Sequence, residues 1–321
     1  MPVRSKWQSL PTEAINPATL AIDKLSPEDI VEEMLNEDRK MLTAVQREKD
    51  RIAVGIDIVS QSLRKGGRVV FVGAGTSGRL GLLESTEMPP TFGTDEDLVL
   101  AIMAGGKDAI LHAKEGVEDN YEEGARSVNR LHPGKKDVVI GVSASGMTPF
   151  VRGALTKARR AGSKIIFVTC DPRTELQTFV DLTIAPAVGP EVIAGSTRLK
   201  AGTATKIVLN MLTTGAMIRI GKTYGNLMVD VQVGSEKRKD RARRIVMIVT
   251  DVEQEDADDL LKRAHWNVKA AIVMHKGHLS YTKALSRLRR AHDFVRDAIG
   301  EDVEPRLREL LDVHERSEPR P

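Results

Sequence analysis

Two short stretches rich in glycine and hydroxyl side chains carry the chemistry most visible in this sequence. The first is Gly73-Ala74-Gly75-Thr76-Ser77-Gly78, placed between an apolar run, Val69 to Val72, and a helix-like run, Arg79 to Met88. Glycine lets the backbone turn sharply and approach a ligand closely. A strand–turn–helix junction also offers free N–H groups and a positive helix end to an anion. The second stretch, Ser143-Ala144-Ser145-Gly146-Met147-Thr148, has the same setting between Val138–Val142 and a helix opening at Pro149. A single turn of this kind is matched equally well by ordinary helix capping. Two of them, each after a strand and before a helix, favour a shared phosphate ligand such as a sugar phosphate. Gly75, Thr76, Ser77, Ser143, Ser145 and Thr148 are the candidate ligands.

Carboxylates supply the candidate acids and bases. Glu84 and Glu87 share a face of the helix leaving the first turn, which Pro89-Pro90 is expected to stop. Glu87 then falls in the last helical turn, where the negative helix end and partial burial would raise its pKa, as a general acid requires. A surface salt bridge is the plainer reading of such a glutamate. Glu115 and Glu118 fall in a helix expected over Lys107–Leu131, with an apolar stripe of Ile110, Ala113, Val117, Tyr121 and Val128. Glu118 is at the edge of that stripe beside Gly116, a place that suits a cleft or open solvent alike.

Other chemistries fit less well. Gly73 to Gly78 also matches the dinucleotide fingerprint, which expects an acid about 20 residues on, at the end of the next strand. Here Asp95, Glu96 and Asp97 precede that strand and Ala104-Gly105-Gly106 follow it. Ser77 and Ser145 lack any His or Asp signature of a nucleophile. The histidines are scattered and Cys170 stands alone, so neither a metal nor another cofactor is expected. A third helix is expected from the Gly195-Ser196 turn to about Ile220, with Ser196 as its cap. Arg198 and Lys200 would be cations in its first turn, where the dipole disfavours them. An anion, from substrate or from Glu191, would offset that cost, which adds Ser196 and Lys200 to the candidate ligands.

These residues need a scaffold. Apolar runs at Val69–Val72, Leu98–Met103, Val138–Val142, Lys164–Thr169 and Leu182–Ala185 alternate with helical stretches. That alternation predicts an α/β fold, a five-stranded parallel sheet flanked by helices with ligands at the carboxyl ends of its strands. Before it, residues 1–25 read as an extended arm. A helix capped by Ser26 follows, with Ile30, Val31, Met34 and Leu35 as its stripe, and then a long helix over Asn36–Leu63. After Gly234 a charge-dense run and several short helices make a small helical module, and Ser317–Pro321 is expected to fray. Residues 1–48, 49–234 and 235–321 are the expected divisions. No internal repeat is expected beyond the two hydroxyl-rich turns. The chain of 321 residues has a net charge of +3, few aromatics and no apolar run of membrane length, so neither nucleic acid nor membrane is expected as a partner. One cysteine and no apolar leader at the N-terminus make the cytoplasm the default location.

Several ordered motifs share one family resemblance. GAGTSGRLGLLESTEMPPTFG, AGG at Ala104–Gly106, EGVED at Glu115–Asp119, SASGMTP at Ser143–Pro149, GPEVIAGSTRLKAGTATKIVLNML and GNLMVDV closely resemble the N-acetylmuramic acid 6-phosphate etherases, which are sugar isomerase (SIS) domain proteins. The resemblance runs from Thr12 to near Ile299. It implies an SIS-type sheet, a homodimer, a C-terminal module of ubiquitin-associated type and a role in recycling cell-wall amino sugar. It also implies lyase chemistry, in which the D-lactyl ether is cleaved by elimination and hydration with no cofactor. By motif position the two catalytic glutamates fall on Glu87, as acid, and Glu118, as the base at C2. A more remote resemblance, to the glucokinase regulatory protein, keeps a non-catalytic sugar-phosphate-binding regulator as the alternative.

Overall fold

Five strands pair in parallel in the order β2-β1-β3-β4-β5: β1 (Val69–Gly73), β2 (Val99–Met103), β3 (Val138–Val142), β4 (Lys164–Val168) and β5 (Leu182–Ile184). The computed structural model describes residues 10–317, and the first nine residues of the expected arm and the end of the expected frayed tail lie outside them. All residues of β1 and β3 are buried, which explains their continuous Val/Ile/Phe composition. Val70, Val72, Val139, Ile165 and Phe167 face one side and pack with Phe150, Val151 and Leu155 of α6 (Pro149–Arg160). On the other side Gly55 of α2 (Lys49–Arg64) lets Leu212 of α7 (Lys200–Arg219) approach β5. The expected sheet is therefore present, with helices on both faces.

The sheet is pinned at the amino ends of the paired strands β1 and β3. Asp137 precedes β3 and Arg68 precedes β1. Asp137 accepts Arg68 N at 2.8 Å, Arg68 Nη2 at 3.0 Å and Gly134 N at 2.9 Å. Burial alone would raise the Asp137 carboxyl, but the Arg68 guanidinium and the two backbone N–H groups outweigh it and hold it below the usual range.

Several element boundaries differ from expectation. The first helices divide at Glu48 into α1 (Pro27–Arg47) and α2, and the Glu48 carboxylate accepts Ala185 N at 3.0 Å at the end of β5. Val31, Met34 and Leu35, the expected buried stripe of α1, are exposed. The described part of the arm forms short 3₁₀ turns at Pro11–Glu13, Pro17–Thr19 and Ile22–Lys24 rather than an extended run. Helix α3 runs Gly75–Phe92 and retains Pro89 and Pro90. Met88 and Phe92, one turn apart, are both buried, so packing carries the helix past the missing N–H groups. Glu87 is therefore more than a turn inside α3, not at its end. The helix expected over Lys107–Leu131 breaks into α4 (Asp108–Leu111), a 3₁₀ turn (Val117–Asp119) and α5 (Tyr121–Asn129). Gly116, at φ 75°, turns the chain out of helix, and Asn120 recaps it by accepting Glu123 N.

The chain divides into two compact units. One comprises the chain up to Thr86 with Glu96–Ala216; the other comprises Glu87–Asp95 with the chain from Met217 onward. The second holds α8 (Glu236–Thr250), α9 (Gln254–Arg263), α10 (Val268–Gly277), α11 (Tyr281–Arg290), α12 (Val295–Ile299) and α13 (Glu304–Ser317). It also holds an internal repeat that the sequence reading missed. Residues 241–267 and 268–294 align without gaps. Ile245, Val246 and Met247 match Ile272, Val273 and Met274, and Arg263-Ala264-His265 match Arg290-Ala291-His292. The turns superpose in kind: His265 and His292 both sit at positive φ, and Trp266 N bonds Leu261 O as Asp293 N bonds Leu288 O.

The Arg68–Asp137 clamp generates a pH prediction. The folded pKa of Asp137 is lowered, so its stabilisation is present above the unfolded value and is lost as pH falls through the folded one. At neutral pH Asp137→Asn should cost about 1–3 kcal/mol. That gap should begin to narrow below about pH 4, near the unfolded carboxyl pKa, and close as pH falls past the lower folded value. Urea midpoints across pH test this, and a gap independent of pH would contradict it.

Candidate functional site

The two hydroxyl-rich turns leave adjacent strands. β1 pairs with both β2 and β3, so after β1 the chain crosses one way to β2 and then back past β1 to β3. That reversal is the switch point at which open parallel sheets bind ligands. Gly73 ends β1, and a Cβ on it would stand 2.6 Å from Gly78 N, so glycine permits the reversal into α3. The helix begins within the expected loop. Gly75, Thr76 and Ser77 form its first turn, ahead of the first helical bond, Gly78 N to Ala74 O at 3.2 Å. Their N–H groups are those a helix leaves unpaired internally, and they carry its positive end. Thr76 and Ser77 are half-buried.

The second turn is tightly built. Ser143 Oγ and Thr148 Oγ1 are 2.7 Å apart, and Ser145 Oγ accepts Met147 N at 3.4 Å. Gly146 has φ 73°, and Thr174 Oγ1 donates to its carbonyl at 3.0 Å. Cys170, just past β4, donates its N–H to Ala144 O at 3.0 Å and its thiol to Ala201 O at 3.9 Å. Ala201 and Gly202 open α7, and a Cβ on Gly202 would stand 3.5 Å from Thr76 Cγ2. One chain of contacts thus joins the first turn, the start of α7, the end of β4 and the second turn. Burial pushes the Cys170 thiol up to about 12, which makes it a packing group and not a nucleophile.

Ser196 and Lys200 are placed otherwise than expected. Ser196 lies in the turn before α7 and does not cap it. Glu191 does, accepting Lys200 N at 3.0 Å and Ala201 N at 2.9 Å. Burial raises the Glu191 carboxyl, against the pull of those N–H groups and Lys200. The Lys200 side chain is 2% exposed and its ammonium pairs with Glu37 of α1, itself 3% exposed. The cation expected to face substrate is thus committed to a buried pair. Burial alone would raise the Glu37 carboxyl, but Lys200 and Lys40 hold it below the usual range.

The glutamates occupy different settings. Glu118 is half-buried on the 3₁₀ turn of the first unit, and Glu87 is an exposed residue of α3 in the second. Glu84, one turn before Glu87, is buried and accepts Asn210 Nδ2 and Thr213 Oγ1 from α7.

Residues 30–159 match the model of the glucokinase regulatory protein N-terminal SIS domain, and residues 117–215 match the SIS domain. N-acetylmuramic acid 6-phosphate etherase 2 of Vibrio cholerae is 45% identical over 92% of this chain and 96% of its own. The etherase of Clostridium acetobutylicum is 47% identical over 92% of this chain and 98% of its own, and that of Photorhabdus laumondii is 44% identical over 90% and 96%. The chain belongs to the N-acetylmuramic acid 6-phosphate etherase family.

In this member of the etherase family the Glu37–Lys200 pair gives a direct test of placement. Lys200→Met leaves the buried Glu37 carboxylate with the exposed Lys40 ammonium alone, so the cost should stay below the about 3–5 kcal/mol of a fully stranded charge. Lys200→Met should still destabilise measurably, and the double variant with Glu37→Met should recover most of the loss. A Lys200→Met variant of undiminished stability in denaturant melts would show that the ammonium is not committed to Glu37.

Proposed function

We propose that this chain is an N-acetylmuramic acid 6-phosphate etherase, releasing D-lactate and N-acetylglucosamine 6-phosphate. The observation that carries this reading is relatedness above 40% identity over nearly its whole length to proteins named for that activity. The switch-point turns support it: they offer N–H groups and hydroxyls of Ser77, Ser145 and Thr148 to a phosphate, together with a helix dipole.

The reaction follows from the chemistry of the opened sugar. The C1 aldehyde acidifies the C2 proton, and Glu118 removes it. The electron pair forms the C2–C3 double bond as the C3–oxygen bond breaks. Glu87 gives its proton to the departing lactyl oxygen, so lactate leaves as the free alcohol. Water then adds at C3, its proton goes to a carboxylate, and C2 is reprotonated. The net change is hydrolysis of the ether, and two carboxyl groups suffice for every proton. A regulator that only binds sugar phosphate would need neither glutamate. The match to the glucokinase regulatory protein model covers a smaller part of the chain than the etherase relatives do. No described helix is long and apolar enough to cross a membrane, and a single buried free thiol suits a reducing cytoplasm.

We also read the chain as a homodimer. A groove of about 670 Å³ between α1, α2 and α7 is lined by Leu42, Ile52, Ile56, Ile207 and Met211. Leu42 is 54% and Met211 43% exposed. A contiguous apolar patch of this kind marks an interface. Sedimentation should show a dimer that Met211→Lys dissociates; a monomer at micromolar concentration would contradict the reading.

Incubation with N-acetylmuramic acid 6-phosphate should release one D-lactate per sugar consumed. Folded protein that releases none, or that only isomerises hexose 6-phosphates, would reject the etherase. Glu87→Gln should lower lactate release by about 10²–10⁴-fold, with binding of N-acetylglucosamine 6-phosphate retained. Turnover near that of the unaltered protein would remove Glu87 from the mechanism.

A further inference from the structure

The reaction above gives no role to Arg79, two residues after Ser77 on α3. Its guanidinium reaches away from the helix and holds another segment. Nε donates to Ile110 O at 2.9 Å and Nη2 to Ala109 O at 2.9 Å. Both carbonyls belong to α4, a helix of four residues. A single turn has no cooperative stability of its own, and its last carbonyls lack helical partners. Arg79 satisfies two of them with a rigid planar fork, a geometry lysine cannot reproduce.

The held segment leads to Glu118. After α4 the chain passes through residues 112–116, reverses at Gly116 and enters Val117-Glu118-Asp119. Its other seat is Gly105, just past β2. A Cβ there would stand 2.8 Å from Ala109 Cβ and 3.4 Å from both Lys114 Cδ and Val117 Cγ2. The contacts within the segment, an ion pair of Lys114 with Asp108 at 2.7 Å and a hydrogen bond between His112 and Asp108 at 3.3 Å, are exposed and contribute little. Arg79 and Gly105 are thus two anchors of residues 108–117, one on α3 and one at the end of β2. Among the described residues no carboxylate neutralises Arg79 at ion-pair distance.

We propose that Arg79 is a positioning residue. It clamps α4, and through α4 the Glu118 turn, to the same helix whose first turn would hold the phosphate. The distance from the anchored phosphate to the base is then set by one rigid element, α3. This rests on the etherase reading for Glu118 as base; the clamp itself does not.

The test uses Arg79→Met and Arg79→Lys in the full chain, with two readouts. In the first, kcat for lactate release should fall by about 100-fold in Arg79→Met, the scale of a small misplacement of a reacting group. The dissociation constant for N-acetylglucosamine 6-phosphate should stay within about twofold, because the phosphate turn is untouched. Arg79→Lys should lie between, and Arg79→Met added to Glu118→Gln should lower kcat little further. An unchanged kcat, or a dissociation constant weakened as much as kcat/KM, would overturn the proposal, the latter making Arg79 a phosphate ligand. The second readout is amide hydrogen exchange. Arg79→Met should speed exchange across residues 108–119 and leave residues 138–148 as they were. Unaltered exchange in 108–119 would reject the clamp even if the protein released no lactate, so the two failures are separable. If Arg79→Met does not fold, Arg79→Lys carries both readouts.

Discussion

The parallel pairing of β1 with β3 is the constraint on which the rest depends. Its register, Val69 with Val138 through Gly73 with Val142, ends both strands at one level. The two hydroxyl-rich turns therefore emerge side by side, although some seventy residues separate them in sequence. A slip of one residue would invert the faces of a fully buried strand, so burial of Val70, Val72 and Val139 against α6 enforces the register. The Arg68–Asp137 clamp fixes the same register at the opposite end of the strands. Gly73 then lets α3 start at once, which puts a helix terminus instead of a flexible loop at the mouth of the switch point.

Buried charge does a related job on α7. Glu191 satisfies its first N–H groups and Glu37 takes up the Lys200 ammonium. A helix terminus already capped by a carboxylate is a poor anion site, whereas the first turn of α3 holds no acidic residue. The basic side chain expected to meet substrate serves instead to hold α1 on α7.

Much of this was legible in the residues. The alternation of apolar runs and helical stretches gave all five strands, and the order of motifs gave the family. What escaped depended on contacts between distant residues. The N-terminal helices part at Glu48, whose carboxylate meets Ala185 N from β5, and nothing near Glu48 announces that contact. Pro89-Pro90 read as a stop, yet burial of Met88 and Phe92 overrides it. The break around Glu118 did have local signals, Gly116 and the Asn120 cap, that the apolar stripe obscured. Ser196 looked like a cap because its type is right, but a buried Glu191 reaches the N–H groups first. The repeat in the helical unit was hidden because its identities are few and fall mainly in two short triplets, and the turn geometry at His265 and His292 makes the correspondence plain. Arg79 carries no sequence signal at all, since its partners are backbone carbonyls.

The proposed chemistry turns on where the phosphate sits. A crystal structure with N-acetylglucosamine 6-phosphate bound should show its phosphate at the first turn of α3, within hydrogen-bond distance of Ser77 N or Oγ and of Ser145 or Thr148. A phosphate bound at the start of α7, or anywhere away from the carboxyl ends of β1 and β3, would contradict it.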